Sequence, residues 1–112
     1  MRIAIPTVNG RLSAHFGHCE AFTILDVDMD GKKIITQENV GAPPHEPGLL
    51  PRWLAEKGAR LIIAGGMGVR AQNLFGEQGI AVLVGAPADS PEKIVTDYMD
   101  GILECGRNLC DH

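Results

Sequence analysis

Two histidines and a cysteine fall within the ten residues SAHFGHCEAF, Ser13 to Phe22: His15, His18 and Cys19. Imidazole and thiolate ligate soft and borderline metals, so this stretch raises a metal or metal-cluster site. A further imidazole, His45, stands in the proline-rich segment GAPPHEPG. The turn GGMG, Gly65 to Gly68, opens a helical pattern, and amides at a helix N-terminus attract anions. Cys105, Cys110 and His112 lie at the end of the chain. Each has a plainer use as well: loop histidines are often simply solvated, and a cysteine outside a disulfide commonly packs as a small hydrophobe. The choice depends on where the fold places them.

The elements can be read in order. Arg2 to Thr7 (RIAIPT) reads as a central strand, Ala21 to Val27 as a second and Lys33 to Asn39 as a third, the last two joined across the Asp30-Gly31 turn. After the His45 loop, Leu49, Leu50, Trp53 and Leu54 form a helical stripe with Pro51 in its first turn and Gly58 as its stop. Arg60 to Ala64 is the fourth strand. GGMG then leads into a helix bearing Ala71, Leu74 and Phe75 on one face. Ile80 to Val84 is the fifth strand. Ser90 caps a third helix with Pro91 in its first position and Ile94, Val95, Tyr98, Met99 and Ile102 on its buried face.

This order predicts an α/β domain over residues 1–104, with a five-stranded mixed sheet in the order 3-2-1-4-5, strand 2 antiparallel, and three helices. Residues 105–112 are expected to form a flexible tail. Following each element's direction, the His15 loop, the His45 loop and GGMG gather at the carboxyl ends of the parallel strands, where the chain order reverses between strands 1 and 4. Open α/β sheets bind ligands at such a point. The 13-residue loop from Val8 to Glu20 is long for a connection and is expected to be mobile when empty. The third helix should carry Cys105 to the opposite end, about 20 Å away, which keeps it from the upper site.

Several function classes are disfavoured. The chain has 112 residues, 10 basic against 14 acidic, and no basic block of the kind that binds nucleic acid. Its N-terminal apolar run is too short for a secretory segment or a membrane span. Three cysteines at irregular spacing suggest a reducing, cytoplasmic setting rather than a disulfide framework. The first strand lacks the carboxylates that nuclease chemistry requires, and Ser13 with His15 has no carboxylate placed to complete a triad. The expectation is a protein that is not an enzyme.

Ser13-Ala14-His15-Phe16-Gly17 followed by Phe22, GGMG after a buried strand, and a closing helix together resemble the dinitrogenase iron-molybdenum cofactor-binding family over nearly the whole chain to about Ile102. The resemblance implies a ribonuclease H-like, three-layer fold. It also implies a role in binding, carrying or protecting a molybdenum-iron-sulfur or related sulfide cluster, with a cluster donor or acceptor protein as partner. The site it implies is His15, Phe16 and Gly17 with Gly65, Gly66, Met67 and Gly68, and His18, next in the loop, is a further binding candidate from its residue type. Cys19 stands where the family is expected to carry a small residue, so its part as a ligand beside His15 and His45 rests on residue chemistry alone. A nucleotide- or phosphate-binding module and a redox-sensing module that uses Cys19 are the alternatives.

Overall fold

The computed structural model describes residues 1–44, 46 and 48–106, so His45, Cys110 and His112 lie outside the described residues. In chain order the strands are β1 (Arg2–Val8), β2 (Arg11–Leu12), β3 (Ala21–Asp28), β4 (Lys33–Gly41), β5 (Leu61–Ile63) and β6 (Ala81–Leu83). The helices are α1 (Leu49–Glu56), α2 (Val69–Glu77) and α3 (Pro91–Met99). Strands β1, β3 and β4 are antiparallel neighbours, whereas β1, β5 and β6 run parallel. The path across the sheet is β4-β3-β1-β5-β6. Together these make a mixed α/β fold with a six-stranded open sheet.

Both faces of β1 are covered, which explains its nearly unbroken apolar sequence. Ala4 joins Phe22, Ile62, Leu54 of α1 and Phe75 of α2 in one cluster. Ile3 and Ile5 join Leu25, Ile63, Ile94 and Val95 in the other, beneath α3. Each large side chain so buried stabilises the fold by about 1.5–3 kcal/mol. Ser90 caps α3 by accepting the Lys93 amide at 3.3 Å.

Three features depart from the sequence reading. First, the segment after β1 is structured: Asn9 and Gly10, with φ of 53° and 78°, turn the chain into the two-residue strand β2, which pairs back onto β1. Second, α3 ends at Met99, and Gly101 with φ of 75° reverses the chain, so Ile102 is 63% exposed instead of continuing the buried face. Third, the chain beyond Gly101 returns towards the carboxyl ends of the parallel strands. Leu103 packs on the α3-side cluster, and the Gly106 amide donates to the Gly85 carbonyl at 2.6 Å, two residues past β6. Cys105 is therefore not stranded at the opposite end, because a tight glycine reversal followed by extended chain recovers the length of the helix.

Candidate functional site

The loop that carries the histidines is built across the end of the sheet. Leu12 is buried, and its amide donates to Asp89 O at 3.0 Å; the Ser13 amide donates to Pro6 O at 2.8 Å. His15 then forms a parallel bridge with Gly66. The Gly66 amide donates to Ala14 O at 2.6 Å, and the Phe16 amide donates to Gly66 O at 2.8 Å. The backbones approach so closely that a Cβ on Gly65 would lie 2.7 Å from the carbonyl oxygens of both Ser13 and Ala14. Only glycine fits there. The crevice between β1 and β5, where sequence logic puts a ligand, is thus lined with the protein's own chain. Backbone bonds to Pro6, Asp89 and Gly66 tie the loop to the end of the sheet.

Phe16–His18 forms a single 3-10 turn closed by the amides of His18 and Cys19, and the Ser13 hydroxyl donates to His15 O at 2.7 Å. The turn sets the imidazoles of His15 and His18 with ring centres 5.7 Å apart. His15 is half-buried, and His18 and Gly17 are exposed. Cys19 faces the other way: it is 5% exposed and packed in the cluster with Phe22, Leu50 and Phe75. Burial pushes its thiol up to about 11, so it stays protonated near neutrality. Cys19 thus sits in a packing environment in the core.

Phe16 points towards a groove of about 380 Å3 between the N-termini of α1 and α2. Its wall is apolar, with Leu50, Pro51, Ala71, Leu74 and Phe75; Phe16 meets Phe75 edge-on at 5.5 Å between ring centres. Gly48 and Gly68, the N-cap residues of the two helices, sit at its edge, and neither helix start is capped by a side chain. Each helix start carries about half a positive charge. Arg70 adds a full one and Glu46 subtracts one, so the lining is left with about one net positive charge. An anion with an apolar or polarizable body fits that balance.

The structure redistributes the residues singled out from the sequence. Phe16 and Gly68 line the groove. Gly65, Gly66 and Met67 are buried beneath it, and the Gly66 amide is already engaged by the chain, so GGMG supports the site more than it faces it. Arg70, Leu50 and Leu74 escaped notice because apolar positions on a helix read as core; an arginine in the first turn of α2 was the available signal, since a cation there opposes the helix dipole. Asp26 is held by Arg2 through bonds of 2.7 and 2.9 Å, which keeps its carboxyl below the usual range. Among the described residues no three His, Cys, Asp or Glu side chains gather to hold a metal ion, and no helix is long and apolar enough to cross a membrane.

An aromatic path runs inward from the groove. Phe16 packs on Phe22 at 6.3 Å, and Phe22 packs on Trp53, the single tryptophan, at 5.6 Å.

Comparison with known proteins places this geometry among relatives. The sequence profile of the family described as Dinitrogenase iron-molybdenum cofactor matches residues 1–101. The uncharacterized protein MJ0580 of Methanocaldococcus jannaschii is 33% identical over 108 residues, covering 93% of this chain and 90% of its own. The crystal structure of PH0822 superposes with a TM-score of 0.87 at 29% identity, covering 96% of each chain. A crystal structure described as a putative dinitrogenase, MJ0327 of Methanocaldococcus jannaschii, shares the fold with a TM-score of 0.74 at 18% identity, again over 96% of each chain.

Proposed function

The chain belongs to the dinitrogenase iron-molybdenum cofactor family, and we propose that it binds and carries a molybdenum- or iron-containing sulfide cluster in the groove between α1 and α2. The observation that carries this reading is the groove itself: an apolar, aromatic wall beneath two uncapped helix starts and Arg70. A sulfide cluster is anionic and polarizable. Phe16, Leu74 and Phe75 offer it contact, the amides at the two helix starts and Arg70 offset its charge, and His15, next to Phe16 in the chain, would supply the imidazole that anchors a metal. The protein acts as a carrier rather than a catalyst. Its partner is a protein that supplies the cluster or accepts it, in a cytoplasmic setting.

Anaerobic reconstitution with molybdate or ferrous iron plus sulfide tests this. The expected product absorbs in the visible, holds the metal through desalting and quenches Trp53. Arg70→Ala and Phe16→Ala should each lower the metal retained. Colourless protein with no retained metal, or equal retention in both variants, would contradict the proposal. Saturable binding of ATP in the groove without any cluster would favour a nucleotide module instead.

A further inference from the structure

We propose that the free edge of β6 pairs with the same edge of a second copy of this chain, making a symmetric dimer in which the two sheets run on as one. β6 ends the sheet, and its register with β5 settles which backbone groups look outward. The Ala81 amide donates to Arg60 O at 3.0 Å and the Ala64 amide to Leu83 O at 2.8 Å, so Ala81 and Leu83 face β5. By the alternation of a strand, the N–H and C=O groups of Val82 and Val84 face the other way.

A second copy is the occupant that the order of these residues fits. Ile80 to Ala86, IAVLVGA, is nearly palindromic about Leu83. Two antiparallel copies with Leu83 on the dyad set Val82 of each opposite Val84 of the other, and both pairs exchange their outward N–H and C=O groups. Small residues, Ala81 and Gly85, then oppose one another at the ends. Val82, Leu83 and Val84 are only half-buried in the single chain, so pairing covers apolar surface as well. The helix beside the edge obeys the same dyad. Arg70, Ala71 and Leu74 of α2 line the groove towards α1, whereas Val69, Asn73 and Gly76, spaced i, i+4 and i+7, share the opposite flank, on the side of the free edge. Val69 is 50% exposed at one end of that flank, and a Cβ on Gly76 would meet nothing within 4 Å at the other. The two α2 helices run antiparallel across the dyad, which seats each Val69 against the glycine of the other copy. Neither Ile80 to Ala86 nor this flank brings a charge that pairing would bury.

The opposite edge of the sheet is defended. Lys32 and Lys33 stand at the start of β4, a bulge opposite Asp26 and Val27 leaves Ile35 unmatched, and Gln37, Glu38 and Asn39 follow. Lysines and bulges keep an exposed edge from pairing, and β6 has neither. Among the described residues, the returning end of the chain makes one backbone bond here, from the Gly106 amide to Gly85 O, beyond Val82 and Val84.

Sedimentation of the full chain under reducing conditions, over a dilution series and paired with amide exchange, tests the proposal. The wild type should pass reversibly from dimer to monomer. At a free concentration about tenfold above the dissociation constant, exchange at Val82 and Val84 should be about tenfold slower than in dilute protein. Gly76→Lys should stay monomeric at the same concentrations. Because lysine forms helix better than glycine, its melting temperature in dilute solution should equal or exceed that of the wild type, which shows the fold intact. Val69→Lys, at the other end of the same contact, should also stay monomeric. Wild-type monomer at every concentration, or wild-type dimerisation in both variants, overturns the proposal. So does protection of Val82 and Val84 that is independent of dilution, which would assign the edge to this chain's own end.

Discussion

The Phe16 amide donates to the Gly66 carbonyl across 2.8 Å, and this bond, with its return from Gly66 to Ala14, splices the histidine loop onto the end of β5 as a parallel extension of the sheet. The splice depends on Gly65, where a Cβ would meet two carbonyl oxygens at 2.7 Å. Backbone oxygens cannot swing aside as a side-chain tip does. Gly65→Ala should therefore cost about 1–3 kcal/mol and raise amide exchange at Phe16 and Gly66. Urea denaturation with hydrogen exchange measures both. Wild-type exchange in the variant would mean that the loop is held by other contacts.

Phe16 joins the groove to the core, so its truncation should show in two readouts. Fully buried Phe→Ala changes cost about 3–5 kcal/mol; Phe16 is half-buried, and about 2 kcal/mol is expected. Because Phe16 packs on Phe22, which packs on Trp53, the emission maximum of Trp53 should shift as well. A stability loss without any spectral change would break the aromatic path described above.

Much of the fold was legible because its signals are local. Apolar strands with both faces covered, Ser90 with Pro91 at a helix start, and glycines at helix ends each carry their cause in the sequence. The groove was less legible, since Leu50, Leu74 and Arg70 become a site only when two helix starts converge, and that is a tertiary fact. Asn9-Gly10 is a hairpin signal that the nearby histidines overshadowed. Cys19 was ambiguous because thiol chemistry depends on burial. The return of the chain to Gly85 turned on Gly101, whose left-handed backbone stops α3 before Ile102.

That return gives a further prediction. Gly85 has φ of 83°, and a Cβ there would collide with the Gly106 carbonyl. Gly85→Ala should thus release the end of the chain, with the Gly106 amide losing its protection from exchange while Ile3 to Ile5 keep theirs. Truncation after Leu103 should cost little, about 1 kcal/mol for one lost backbone bond. Loss of cooperative unfolding on truncation would assign the segment a larger structural role.

Cys19 makes stability fall at alkaline pH. Its thiol is raised by burial from 9.0 to about 11 in the folded chain, so below pH 9 both states are protonated and its contribution is intact. As pH rises from about 9 towards 11 the unfolded thiol ionises first, and about 2–3 kcal/mol is lost. Cys19→Ala should flatten this part of the profile while lowering stability at neutral pH. Parallel profiles for the two proteins would show that the thiol is not buried in solution.

The central claim is that an anionic metal sulfide seats between the starts of α1 and α2, and amide chemical-shift mapping with tetrathiomolybdate tests it most directly. The account predicts one saturable set of shifts at Phe16, Gly48, Leu50, Gly68, Val69, Arg70 and Ala71, lost in Arg70→Ala, with the β3–β4 turn around Asp30 unmoved. Shifts scattered over the basic side chains of the surface, or none at those amides while the anion still binds, would contradict it.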